Sequence, residues 1–319
     1  MRDKALLMGN TLKVFAGQSN PQLAQGIAME LGLELGAIEY VRFSNENIKV
    51  KICENVRGCD VFFIQTSCPP VNEYLMELLI ALDALKYASA RRITAVLPYY
   101  PYALADSKDE PRISVAARLM ADLITEAGAS RILTMTLHSP QIMGFCRIPI
   151  DQLSGVPIIC DFYADMDLKN CVAVSPDISR AKVTESYAKR LGLPLVVVDK
   201  RRIGKDRVQV NGVIGEVEGR DAIFLDDEII TGASIIEAAE AVRARGARRI
   251  YAGCVHGTLP GQSPQRISES DLECLVITNT IPLPAEKEHP KIAVCSVAPL
   301  FANAIKAIHE ETSISSFFK

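Results

Sequence analysis

No two of the nine cysteines in this 319-residue chain have Cys-x-x-Cys spacing. An odd, scattered set, mostly in or beside apolar runs (Cys53, Cys160, Cys254, Cys274, Cys295), reads as buried free thiols in a reducing, cytoplasmic setting without a signal peptide. No uninterrupted apolar stretch approaches the length of a membrane span, which excludes a spanning helix. The formal net charge is only −3, so the clustered basic excess of a nucleic-acid surface is missing. A Gly-x4-Gly-Lys-Ser/Thr loop is absent as well, which excludes a P-loop nucleotide site. With 49% hydrophobic and 23% charged residues, the chain has ordinary soluble globular composition, and its length favours two domains.

What is present is organised around residues 222–234, Ala-Ile-Phe-Leu-Asp-Asp-Glu-Ile-Ile-Thr-Gly-Ala-Ser. Ala222 to Leu225 give a short buried-strand signal, and Asp226 and Asp227 stand at its C-terminal end. A tight turn through Thr231, Gly232 and Ala233 follows, and Ser234 opens an amphipathic helix that runs to about Arg245. Such a turn makes a phosphate cradle. The first N–H groups of a helix have no intrahelical partner, and the helix dipole adds positive charge there. Gly232 lets the backbone approach an anion, while Thr231 and Ser234 add hydroxyl donors. The two carboxylates ahead of the turn suit sugar hydroxyls or a divalent cation better than a bare polyphosphate. An acidic loop before a Ser-capped helix would account for any one part of this stretch, but not for the whole succession.

Strands are expected at residues 12–16, 38–43 and 60–65. A helix begins after Asn20-Pro21, a cap residue followed by a proline suited to the first helical position. A longer helix runs from about 72 to 88. One design then recurs three times, at Ser89-Ala90-Arg91-Arg92-Ile93, Gly128-Ala129-Ser130-Arg131-Ile132 and Gly246-Ala247-Arg248-Arg249-Ile250. Each is a helix end, a basic turn and an apolar strand, and the strands finish at Pro98-Tyr99-Tyr100-Pro101, His138 and His256-Gly257. Recurrent helix-to-strand units predict an α/β protein of two related domains, each a mainly parallel sheet flanked by helices, with ligands at the strands' C-terminal ends. Breaks at Pro149, Gly155 and Pro157 divide the chain into domains over 1–150 and 151–319. The last helix, about 299–310, has the length to pack back on the first domain.

Asp-Asp-x-x-x-Thr-Gly-x-Ser behind an apolar strand resembles the loop with which phosphoribosyl-handling proteins bind ribose 5-phosphate. From about Lys13 to its C-terminus the chain resembles the ribose-phosphate pyrophosphokinases. The resemblance implies phosphoribosyltransferase-like (Rossmann-type) domains and a cytoplasmic, Mg2+-dependent transferase of nucleotide biosynthesis. Its reaction would move the diphosphoryl group of ATP to the 1-hydroxyl of ribose 5-phosphate. The implied assembly is a dimer-based homo-oligomer such as a hexamer, or a hetero-oligomer with another synthetase, with no nucleic-acid or membrane partner. Ribose 5-phosphate is then assigned to Asp226, Asp227, Thr231, Gly232, Ala233 and Ser234. Lys200 and Arg202, in a flexible loop after the strand 195–198, close over the transferred phosphates. ATP falls to Phe43, Asn45, Asn47 and Asp109, with the Phe43 ring on adenine. Mg2+ falls to His138 and Asp177. Apart from the resemblance, residues 199–205 read as a solvated basic turn. His138 then reads as a hydrogen-bonded strand-end residue, imidazole being a poor partner for hard Mg2+.

Several positions depart from the family pattern. Leu104 and Ala105 stand where it has Arg and Gln, Thr136 where it has Asp, Asn47 where it has Glu, and Ile230 where an acidic residue precedes Thr-Gly. Ile178-Ser179-Arg180 fills a run that is glycine-rich in the family, which makes the backbone there bulkier. Beside a pyrophosphokinase, weakened or retuned, stand two other readings: a non-catalytic paralogue that regulates a true synthetase, and a phosphoribosyltransferase. Phe43-Ser44-Asn45, the Lys200/Arg202 pair and the duplicated architecture favour the pyrophosphokinase, because the transferase needs none of them. Restoring the phosphate contact with Leu104→Arg and Ala105→Gln is expected to tighten ATP binding about ten- to a hundred-fold, the worth of one charge-assisted hydrogen bond. Calorimetric titration with ATP checks this, and an unchanged affinity means that the site is built in another way.

Overall fold

The computed structural model describes residues 11–202 and 208–318. The first half of the chain gives β1 (Leu12–Ala16), α1 (Pro21–Glu30), β2 (Ile38–Arg42), β3 (Ile48–Ile52), β4 (Asp60–Ile64), α2 (Val71–Tyr87), β5 (Arg92–Leu97), α3 (Ala116–Ala127), β6 (Arg131–Met135) and β7 (Ile150–Leu153). The second half gives α4 (Val156–Ala164), β8 (Cys171–Ser175), α5 (Ala181–Leu191), β9 (Leu195–Arg202), β10 (Val208–Ile214), β11 (Asp221–Ile229), α6 (Ala233–Ala244), β12 (Ile250–Gly257), α7 (Ser263–Glu269), β13 (Leu272–Thr278), β14 (Ile292–Cys295) and α8 (Ala298–His309). Among the described residues no helix is long and apolar enough to cross a membrane.

Two compact units result. Their division falls between Ser154 and Gly155, and the first unit also takes residues 280–282 and the stretch from Val297 onward. The second unit therefore stops at Ser296 and does not continue to residue 319 as the expected boundaries had it.

The first unit holds a five-stranded parallel sheet in the order β1-β4-β5-β6-β7. All five residues of β4, Asp-Val-Phe-Phe-Ile, are buried, as a strand in a parallel sheet covered on both faces requires. Phe15, Phe63, Leu82, Leu85, Ile93 and Ile132 meet in its core. Asn20 caps α1 by accepting the Leu23 N–H at 3.2 Å, and Pro21 holds the first helical position. The short antiparallel pair β2–β3 forms an arm beside this sheet. The Tyr40 hydroxyl ties the arm down by donating to the Ala16 carbonyl at 2.6 Å. No strand at 48–52 was expected, although Ile48-Lys49-Val50-Lys51-Ile52 alternates as a half-buried strand does. Cys53, just beyond it, is exposed rather than buried.

Asp60 opens β4 with 1% of its surface exposed. The Arg92 guanidinium donates to both of its oxygens, with Nε 3.1 Å from Oδ1, and His309 Nδ1 lies 2.8 Å from Oδ2. Arg92 reaches Glu311 as well, at 3.0 Å. One buried carboxylate thus joins the N-terminal ends of two strands to the end of α8.

The second unit holds a seven-stranded sheet in the order β10-β9-β8-β11-β12-β13-β14, parallel except for the β9–β10 pair. Val174, Val196, Phe224, Ala252, Leu275 and Ala238 belong to its core. Two expectations need correction here. β11 does not stop at Leu225 but carries Asp226 and Asp227 within its ladder, Asp226 opposite Cys254 of β12. Lys200 and Arg202 lie on β9, opposite Val210 and Val208 of β10, rather than on a loop. The domains are the two mainly parallel α/β sheets that the helix-to-strand repeats announced.

Replacing Asp60 by Asn keeps the shape of this junction and removes its charge. A buried, charge-assisted pair with partly exposed partners is expected to lose about 2–3 kcal/mol. A lower urea midpoint at unchanged slope is the observation that checks it.

Candidate active site

In the second unit, β11 ends at Ile229 and three residues lead into α6. Gly232 takes φ +74°, a left-handed conformation that an L side chain adopts only with strain, and it serves as the cap of α6. A Cβ there would also stand 3.3 Å from Ile267 Cγ1. Ala233 rather than Ser234 is the first helical residue, and its N–H lies 3.4 Å from Thr231 Oγ1. The Lys200 ammonium donates to the carbonyl oxygen of Ser234 and, at 3.1 Å, to its Oγ. A cation on a strand thus meets the positive end of a helix, which favours an anion at that point. Burial lowers the Lys200 pKa from its ordinary value, against the opposing pull of Glu237 and Asp177. Thr231, Gly232, Ala233, Ser234 and Lys200 therefore lie together. Arg202 ends β9, and its side chain lies outside the described residues.

Asp226 and Asp227 are 7% and 3% exposed. Both carboxylates are held by Arg180, whose Nε donates to Asp226 Oδ1 at 2.8 Å and whose Nη2 donates to Asp227 Oδ1. Asp226 Oδ1 also accepts the Asp227 N–H at 2.8 Å. Helix α5 braces the same strand: Thr184 Oγ1 donates to the Leu225 carbonyl and the Tyr187 hydroxyl to the Asp226 carbonyl, both at 2.8 Å. Asp177 follows β8 and caps the short 3-10 turn that carries Arg180. Its Oδ1 accepts from Ser179 Oγ at 2.6 Å and from the Arg180 N–H at 3.0 Å. Asp177, Arg180, Asp226 and Asp227 are consequently one hydrogen-bonded group. Arg180 was assigned no role from sequence, and nothing local to residues 178–182 signals a partner more than forty positions away.

In the first unit, Phe43, Asn45 and Asn47 form the tip of the β2–β3 arm. The Phe43 N–H donates to the Asn47 carbonyl at 2.9 Å and the Asn47 N–H to Asn45 Oδ1 at 3.2 Å. The Phe43 ring is about half exposed (48%), available to stack on a planar ligand. Asp109, Leu104 and Arg112 are exposed in the segment between β5 and α3. Past the end of β6, Thr136 has φ +41°, unusual for a β-branched residue and a store of local strain, and His138 is half-buried. Among the described residues no three His, Cys, Asp or Glu side chains gather where they could hold a metal ion.

Sequence reading missed a buried polar group beyond β1 and β4. Ser19 Oγ donates to Gln65 Oε1 at 2.6 Å, and Gln65 Nε2 donates to Glu77 Oε1 at 2.8 Å. The Gln18 N–H donates to the same Glu77 oxygen at 2.7 Å. Gln65, Thr66, Tyr74 and Leu78 line a small cavity of about 10 Å3 beside it. The available signal was a carboxylate inside the apolar stripe of α2, next to Leu78 and four residues before Ala81. Burial pushes the Glu77 carboxyl up, while the bonds from Gln18 and Gln65 pull it down.

Two family models match the chain: the N-terminal domain of ribose phosphate pyrophosphokinase over residues 12–128, and the phosphoribosyl synthetase-associated domain over residues 201–319. The ribose-phosphate pyrophosphokinase of Caldanaerobacter subterraneus subsp. tengcongensis is 49% identical over 97% of this chain and 98% of its own length. That of Clostridium acetobutylicum is 47% identical over 98% of each. The crystal structure of phosphoribosylpyrophosphate synthetase from Mycobacterium smegmatis superposes with a TM-score of 0.88 at 40% identity, covering 94% of this chain and 99% of that one.

The raised Glu77 pKa has a testable sign. As pH rises from the ordinary value of 4.5, the unfolded chain gives up this proton before the folded one, so Glu77 favours the fold at low pH and that contribution is lost on the way up. Glu77→Gln keeps the two accepted bonds without the charge. Its unfolding free energy relative to wild type is expected to increase from pH 4.5 to pH 7, as read from urea midpoints.

Proposed function

The chain belongs to the ribose-phosphate pyrophosphokinase family, and from that premise we propose how its own residues move the diphosphoryl group of ATP to the 1-hydroxyl of ribose 5-phosphate. The near-complete match in length to relatives bearing that name supports this activity over a phosphoribosyltransferase and over a silent regulatory partner. In the reaction the 1-hydroxyl oxygen bonds to the β-phosphorus and gives up its proton to water, the bond from that phosphorus to the α-phosphate oxygen breaks, and AMP departs with the electron pair. Charge gathers on the transferred group, and the protein's task is to hold two polyanions and stabilise that charge.

The observation that carries the assignment is the meeting of Lys200 with Ser234 at the first turn of α6. In this reading the N-terminus of α6, with Thr231, Gly232, Ala233 and Ser234, receives the 5-phosphate. Asp226 and Asp227 accept hydrogen bonds from ring hydroxyls. Lys200 exchanges its bonds to Ser234 for the phosphoryl oxygens, and Arg202 supplies a forked donor beside it. Phe43 at the arm's tip stacks on adenine, with Asn45, Asn47 and Asp109 as polar neighbours of the nucleotide.

Mg2+ would suit this chemistry, since the ion is commonly held through one or two protein carboxylates together with substrate phosphates. Asp177 is the carboxylate we assign to it, and His138 is the second residue that the resemblance implies. When bound, the ion would neutralise charge on the diphosphoryl oxygens. The nine free thiols suit a cytoplasmic location, and a dimer-based oligomer is the assembly we expect, to be read by light scattering.

A phosphorus NMR assay of the purified chain with ATP, Mg2+ and ribose 5-phosphate tests the proposal. Wild type is expected to produce phosphoribosyl pyrophosphate and AMP. Lys200→Ala is expected to turn over about a hundred- to a thousand-fold more slowly, as when one preorganised charge-stabilising donor is lost. Equal rates for the two proteins would remove Lys200 from the mechanism.

A further inference from the structure

Two adjacent, almost fully buried carboxylates cannot both remain charged in a sheet interior without a counter-charge close at hand. Asp226 and Asp227 have one in Arg180, with one guanidinium nitrogen on each carboxylate. The Arg180 side chain is itself only 15% exposed, so the contact is a built-in part of the interior and not a screened surface pair. Its backbone is fixed too, because its N–H is bound by Asp177 in the cap of the 3-10 turn. The guanidinium carries five donors in a fixed fork, which lets it serve both carboxylates at once. Oxygen pairs of this kind otherwise attract a hard divalent cation completed by water.

We propose that Arg180 is a positioning residue of the acceptor site: a resident cation that takes, on Asp226 and Asp227, the place a hydrated divalent ion would otherwise fill. The acceptor's hydroxyls are then received by carboxylates already neutralised and oriented by the chain, and binding of ribose 5-phosphate needs no divalent cation of its own. This rests on the assignment of Asp226 and Asp227 to the acceptor sugar, and the test is chosen to separate the two.

Mn2+ bound per chain is counted by electron paramagnetic resonance, without nucleotide, for wild type and for Arg180→Ala, Arg180→Gln and Arg180→Lys. Arg180→Gln keeps most of the side-chain bulk and serves if Arg180→Ala does not fold. The uncharged variants are expected to bind one Mn2+ more per chain than wild type, and this extra ion should vanish when Asp227→Asn is added. Arg180→Lys, which restores the charge, should match wild type. Titration with ribose 5-phosphate in the presence of a chelator should give the wild-type affinity unchanged. The uncharged variants should fall at least ten-fold and recover when Mn2+ is supplied. Equal Mn2+ counts in wild type and both uncharged variants would overturn the role of Arg180. An extra Mn2+ in a protein that never binds ribose 5-phosphate would uphold that role and remove the acceptor assignment instead.

Discussion

The second unit depends on neutralising two carboxylates within the central strand of a buried sheet. β11 is hydrogen-bonded on one side to β8 and on the other to β12, and its two aspartates are almost fully buried. Arg180 resolves this from the turn after β8, and Tyr187 and Thr184 of α5 fasten the same strand through its carbonyls. With the strand held to Ile229, the glycine turn releases the chain into α6, whose N-terminus faces the Lys200 ammonium. Charge satisfaction in the interior and anion affinity at the helix end are therefore set by one continuous piece of backbone.

The elements whose signals are local were legible. Asn20 and Pro21 announce α1 by cap chemistry, and the three basic turns before apolar strands give β5, β6 and β12 and hence the parallel architecture. The same local logic failed where a distant partner decides. A pair of aspartates after four apolar residues reads as a strand end, yet β11 continues because Arg180 lies against them. Asp199-Lys200-Arg201-Arg202 reads as a solvated turn, yet it is a strand because β10 returns to pair with it. Glu77 falls on an apolar helical stripe, where only Gln18 and Gln65, both remote in sequence, make it tolerable.

The candidate site divides along the same line. The turn through Thr231 and Gly232 was readable because a glycine between a strand and a helix marks the helix start, although α6 begins at Ala233 and not at Ser234. The Lys200–Ser234 contact spans 34 positions and has no local precursor. Leu104, Ala105, Thr136 and Ile230, read from the sequence as departures from the family pattern, were expected to bear on contacts to ligands. Their side chains are exposed or half-buried in segments beyond strand ends, so neither core is built on them.

The first unit is discontinuous in the chain, and that has a consequence for how the protein is made. Its buried Asp60 waits for His309, and Arg92 for Glu311, both encoded after every strand of the second sheet. During translation the second sheet can close as soon as β14 has emerged. The first unit, begun earlier, can be finished only by residues delivered last. A ribosome that stops short of residue 297 therefore releases a chain whose later half is complete and whose earlier half still exposes the surface meant for α8.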